Sequence, residues 1–251
     1  MVRQRLYLYT AIFQMVVLGF SAGFVKAQAF NSGFPSARDF THPKDNLYFP
    51  KLRGLTYVYQ TENKDILVTN ETSTSLNTLT IQGIVCNITY NREWTYVKSL
   101  NRKLITRETY DFYAWDNQGN VWYFGRDQFN YLHNSNWSYA GMNMKGSWLA
   151  GKNGAIPGIV VPANPQTVLN QEQGINKNLL ASKVLGISTS ISTDLGNYNN
   201  CLKIQVSSPV SQSNVETRYF APKVGLIILE KVKGNSSTTT LVKILNQPSA
   251  F

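Results

Sequence analysis

The stretch Tyr110-Asp-Phe-Tyr-Ala-Trp-Asp-Asn-Gln-Gly-Asn-Val-Trp-Tyr-Phe-Gly125 constrains this chain more than any other. Two aromatic-rich runs flank the polar residues Asp116 to Asn120, which predicts a β-hairpin whose short loop uses Gly119 at positive φ. Neither run alternates cleanly between apolar and polar residues. Phe112 and Tyr113, then Trp122, Tyr123 and Phe124, put large rings on both faces. A strand pair of that kind needs a cover on each side, so the hairpin is expected to be central.

The rest of the chain supplies strands for it to join. Runs rich in strand formers, separated by polar turns, occur at Gly54 to Gln60, Ile66 to Thr69 and Ile84 to Tyr90. Others follow at Cys201 to Ser207, Val215 to Ala221, Gly225 to Val232 and Thr238 to Leu245. The Ser/Thr/Asn-rich stretch Asn70 to Thr80 fits a paired strand better than a linker, because Thr favours strands. Ile159 to Val161, between glycines and prolines, reads as a short strand. Asn176 to Leu185 is the one helix candidate after the leader, and both helix and strand remain open there. The fold class is therefore all-β, with antiparallel sheets in a sandwich or incomplete barrel and at most one short helix. Phe30 to Pro50 is expected to be an extended segment docking through Leu47, Tyr48 and Phe49. Asn130 to Lys145 reads as a long aromatic loop.

The first residues have the pattern of an export signal: Arg3 and Arg5, an apolar run from Leu6 to Phe24, and the small-residue site Val25-Lys26-Ala27. Cleavage after Ala27 is expected, leaving residues 28–251 as a single β-rich domain, one lobe or two, without a transmembrane anchor. The whole chain carries +10, and loss of Arg3, Arg5 and Lys26 would leave +7. Long basic tracts are absent, which argues against specific nucleic-acid binding. The densest basic group, Lys98, Arg102, Lys103 and Arg107, reads as a solvated strand edge. Export exposes Cys86 and Cys201 to oxidation, and each lies in a strand-like run, so a Cys86 to Cys201 disulfide is expected.

Tyr110 to Asp127, Ala150 to Pro165, Asn200 to Lys203 and Arg218 to Gly225, in that order, resemble an uncharacterised family of exported bacterial proteins, similar to type II-secreted proteins of Legionella. The resemblance implies secretion through the periplasm by the bacterial secretion machinery, and it brings no established activity. Family members tend to have an acidic residue where this chain has Arg126, and many have Asp where Gln118 stands.

Motifs of known chemistry are missing. Gly146-Ser-Trp-Leu-Ala-Gly151 has the wrong spacing for a nucleophile elbow, and no P-loop or dinucleotide fingerprint occurs. Two His and two Cys give no zinc pattern, and the Asp116 loop offers one carboxylate where calcium wants several, so no metal or other cofactor is expected. A carboxylate pair drawn from Glu108, Asp111, Asp116 and Asp127 leaves a glycan-cleaving hydrolase as the alternative. Against it, Glu108 and Asp111 fall on opposite faces of an extended chain. The favoured reading is a secreted, non-catalytic binding protein. Its aromatic-lined β surface, through Trp115, Tyr131, Trp137, Tyr139 and Trp148, would meet an apolar ligand, a glycan or a protein of a host surface.

Overall fold

The computed structural model describes residues 34–165, 171–173, 180–208, 215–232 and 236–246. The first half contributes β1 (Thr56–Glu62), β2 (Ile66–Ile81), β3 (Ile84–Val97), β4 (Arg102–Trp115), β5 (Val121–His133), β6 (Tyr139–Asn143) and β7 (Trp148–Leu149). The second contributes β8 (Gly158–Val161), β9 (Gln171–Gln173), β10 (Leu180–Thr193), β11 (Gly196–Ser207), β12 (Val215–Ala221), β13 (Gly225–Lys231) and β14 (Ser237–Leu245). All belong to one sheet ordered β6-β5-β4-β3-β2-β1-β14-β13-β12-β11-β10-β9, with β7 and β8 also pairing β5. Every pairing between these strands is antiparallel. Helix among the described residues is limited to two 3-10 turns, Ala37–Phe40 and Lys98–Leu100.

The sheet curls. β8, which pairs β5, runs beside β9 at the far end of the strand order. Side chains of β5 and β8 share one core with those of β11 and β12: Val121, Tyr123, Val160 and Val161 pack with Leu202, Ile204, Val206 and Phe220. The result is an open sheet whose two halves face each other like a sandwich. Burying rings and branched side chains between the halves stabilises the curl, at roughly 25 cal/mol per Å² of apolar surface removed from water.

The expected central hairpin is β4–β5, and it is covered on both faces. Trp115, Val121 and Tyr123 enter the inner core, while Phe112, Ala114 and Phe124 join an outer cluster with Ile81, Ile84, Cys86 and Ala150. Phe34 and Phe40 of the leading segment cap that outer cluster edge-on, against Phe124 and Trp122. Asp116 shapes the turn, accepting from the backbone N–H groups of Gln118, Gly119 and Asn120 at 2.8 to 2.9 Å. Its other oxygen takes Asn120 Nδ2 and Trp122 Nε1. Gly119 has φ +97°, and a Cβ there would sit 3.2 Å from the Asp45 carbonyl oxygen. Gly125 is tighter: φ is +131°, and a Cβ would fall 2.3 Å from the Trp148 carbonyl oxygen, so only glycine lets β7 approach β5.

One open alternative is decided and several expectations are corrected. The stretch from Leu180 is strand, since β10 pairs β11 along its length; residues 174–179 lie outside the described set. Most of the supposed loop 130–145 is ladder, because β5 continues to His133 and turns back into β6. Tyr48 and Phe49 dock as expected, but Leu47 points outward, 51% exposed. The Cys86 to Cys201 bridge is not formed: both thiols are free and buried, on strands separated in the sheet by five others, and in different core clusters. Burial pushes the Cys86 thiol up to about 12 and raises Cys201 as well, the environment of inert packing thiols rather than nucleophiles. Among the described residues no helix is long and apolar enough to cross a membrane, which says nothing of a β-barrel.

Candidate functional site

Along β4 the side chains alternate. Glu108, Tyr110, Phe112 and Ala114 take the outer face, and Thr109, Asp111, Tyr113 and Trp115 the inner one. Register then brings inner-face residues from distant parts of the sequence into rows. Thr74, Thr89, Asp111 and Arg126 are successive cross-strand partners, and so are Thr72, Asn91, Thr109 and Gln128.

These rows carry a hydrogen-bonded polar wall. Asn91 Nδ2 donates to Asp111 Oδ2 at 2.7 Å, Thr72 Oγ1 donates to Asn91 Oδ1 at 2.6 Å, and the Tyr123 hydroxyl donates to Asp111 Oδ1. The wall bounds a pocket of about 150 Å³. Its opposite side is apolar and comes from Phe49, Leu52, Trp115 and Leu226. The leading segment builds that side by threading between the two halves of the sheet. Asn46 Nδ2 donates to the carbonyls of Gly119 and Pro162 at 2.8 and 3.1 Å, and Trp115 Nε1 donates to the Phe49 carbonyl at 3.0 Å. Phe49 thereby rests against Tyr113, Trp115 and Phe220, with ring centroids 5.1, 6.0 and 6.2 Å away.

Charge around this recess is closely matched. Arg107 pairs with Glu93 and Arg218 with Glu216, while Asp111 stands directly across from Arg126. Desolvation is the leading influence on Asp111 and raises its carboxyl above the usual range, against the opposing pull of the Tyr123 bond and of Arg126, Arg218 and Arg107. Arg218 is recessed but still reachable, its side chain 27% exposed. Its Nη2 holds Glu216 at 2.9 Å, whereas its buried Nε has no hydrogen-bond partner among the described residues.

The outer face treats its carboxylate differently. Glu108 accepts from the hydroxyls of Tyr90 and Tyr131 and from Arg92, whose Nε and Nη2 lie 3.0 and 2.9 Å away. Desolvation acts to raise Glu108, but the bonds from Tyr131, Tyr90 and Arg92 outweigh it and leave the carboxyl below its usual value.

The five rings singled out in the sequence do not converge. Trp115 is buried and lines the pocket, and Trp148 packs edge-on against Tyr123 at 5.2 Å. Tyr131 anchors Glu108 on the outer face. Trp137 is half-buried in the β5–β6 turn at φ +58°, and Tyr139 on β6 is 64% exposed. The basic group is largely engaged: Lys98 with Glu62 at 2.7 Å, Lys103 over the Trp94 ring at 4.7 Å, and Arg107 with Glu93. Sequence reading missed Thr72, Thr89, Asn91 and Arg218. The signal that could have found them is the alternation of polar residues on β2 and β3, which needs the register to become a site.

No protein-family model matches the chain, and no curated protein matches it. Two solved structures are similar. One is a candidate lipoprotein of Parabacteroides distasonis, with 15% identity and a TM-score of 0.41 over 80% of this chain and 100% of that one. The other is a candidate exported protein with YmcC-like fold from Bacteroides fragilis, with 10% identity and a TM-score of 0.36 over 80% of this chain and 99% of that one. Neither is a Legionella protein, and neither likeness is close enough to carry an assignment of function.

Proposed function

We propose that this chain is an exported, non-catalytic binding protein whose ligand sits in the inner-face pocket. One observation carries the reading: a single recess joins an apolar wall of Phe49, Leu52, Trp115 and Leu226 to a polar wall of Thr72, Thr89, Asn91 and Asp111. Ligand sites have this make-up, mostly apolar with a few placed polar groups. Export rests on the basic, apolar and small-residue pattern of residues 1–27, which lie outside the described residues.

The hydrolase alternative loses support at its carboxylates. Glu108 and Asp111 stand on opposite faces, and Asp116 is engaged by five N–H donors of its own turn and of Trp122. Asp127, on the outer face with Glu108 and across from Tyr110, is exposed to solvent. Glu108 is held ionised by three donor side chains, the reverse of the proton-bearing acid that glycoside cleavage requires.

A thermal-shift screen of small molecules against the purified protein tests the reading, because a ligand that binds only the folded state raises Tm with concentration. The expected result is a hit whose shift is abolished by Thr89→Leu, which narrows the pocket at its polar wall. Hits indifferent to that substitution would move the site elsewhere.

A further inference from the structure

We infer that the pocket takes one neutral, hydroxylated six-membered ring, the class of a single pyranose unit, with its C–H face on the apolar wall and its hydroxyls on the polar wall. This rests on the pocket being the binding site.

Size sets the first limit. At about 150 Å³ the recess is smaller than the roughly 300 to 1,000 Å³ of drug-sized ligand pockets, which limits an occupant to about one ring and leaves no room for a lipid chain or a peptide. Polarity sets the second. Asp111 uses two acceptor positions on Tyr123 and Asn91, and a carboxylate has about four. A purely apolar occupant would leave that remaining capacity dry, which is unfavourable. A hydroxyl group suits this surrounding because it can donate to the Asp111 carboxylate and accept from the hydroxyl of Thr89, the cross-strand neighbour of Asp111 in the pocket lining.

Charge sets the third limit. Among the described residues Asp111 is the one charged residue in the lining, and it faces Arg126 across the ladder. The charges nearby are paired, Arg107 with Glu93, Arg218 with Glu216 and Lys51 with Asp45, which leaves the recess nearly balanced. An anionic or cationic occupant would bring a charge with no counter-charge into a partly desolvated place. The apolar wall completes the match. The weakly positive C–H bonds on one side of a pyranose ring can rest against Phe49, Leu52 and Leu226.

Calorimetry and ligand-observed NMR on the purified protein test this with four probes: a set of methyl pyranosides (gluco, galacto and manno), cyclohexanol, sodium D-glucuronate and sodium octanoate. At least one pyranoside is expected to bind about tenfold or more tighter than the other three probes. Asp111→Asn and Thr89→Val, both near-isosteric, are each expected to weaken it by about fivefold or more, while Tyr139→Ser, outside the pocket, leaves it unchanged. Binding of cyclohexanol or octanoate in place of pyranosides, weakened by Thr89→Leu, would overturn the inference and keep the pocket as the site. Glucuronate binding as tightly as the neutral sugars would overturn the charge argument. Pyranoside binding indifferent to every pocket variant, or no binding by any probe, would sink both the inference and the site.

Discussion

Glu108 and Asp111 lie three residues apart on β4, yet the two faces of the sheet handle them in opposite ways. On the outer face Glu108 is ringed by two phenols and a guanidinium, and these donors hold it ionised. On the inner face Asp111 has one phenol and one amide, with its arginines acting from further off, and desolvation prevails. The difference teaches where the molecule is finished and where it is open. The outer cluster is closed upon itself, whereas on the inner wall Asp111 uses two of a carboxylate's about four acceptor positions beside a pocket.

The comparison is easiest to break at Glu108. Glu108→Ala removes the carboxylate that Arg92 and the Tyr90 and Tyr131 hydroxyls bond to, and is expected to lower stability by about 2 to 4 kcal/mol in urea unfolding. Asp111→Asn removes a charge the inner face does not favour, so at pH 7 stability should stay within about 1 kcal/mol of wild type. A loss at Asp111 as large as that at Glu108 would mean that both faces are closed networks.

Acidity sharpens the contrast through its sign. Glu108 has a folded value below its ordinary 4.5, so its contribution is fully present above that pH and is lost as pH falls through the lower folded value. Asp111 has a folded value above its ordinary 3.8. The folded state then binds the proton more tightly, and stability is lost as pH rises from 3.8 through the raised value. Unfolding curves of Glu108→Gln should therefore converge on wild type in acid, while those of Asp111→Asn should converge on it below the ordinary aspartate range and gain on it above. The smallest expected effect concerns the thiols. Cys86 lies in the outer cluster and Cys201 elsewhere in the core, so reducing agent should leave Tm unchanged and both thiols should label only on unfolding.

Much of this architecture was legible locally. The β4–β5 hairpin follows from its own residues, because Asp116 accepts from the backbone N–H groups of Gln118, Gly119 and Asn120 within the turn. The opposed faces of Glu108 and Asp111 follow from the two-residue period of a strand. The β5–β6 ladder was hidden because Asn, Ser and Gly suggest a loop, although backbone pairing and the Asn130 to Asn143 side-chain bond at 3.0 Å hold it. The pocket could not be read at all. Thr72, Asn91 and Asp111 are about twenty residues apart in sequence and meet only when three long strands settle in register. The cysteines failed for the same reason: each run looked like a strand, and nothing local told which strands would be neighbours.

The central claim, that one strand separates a closed face from an open one, is tested most directly by carbon-detected NMR titration of the side-chain carboxyls in the folded protein. Glu108 is predicted to titrate below the ordinary glutamate value and Asp111 above the ordinary aspartate value. Shifts of both carboxyls to the same side would contradict the account.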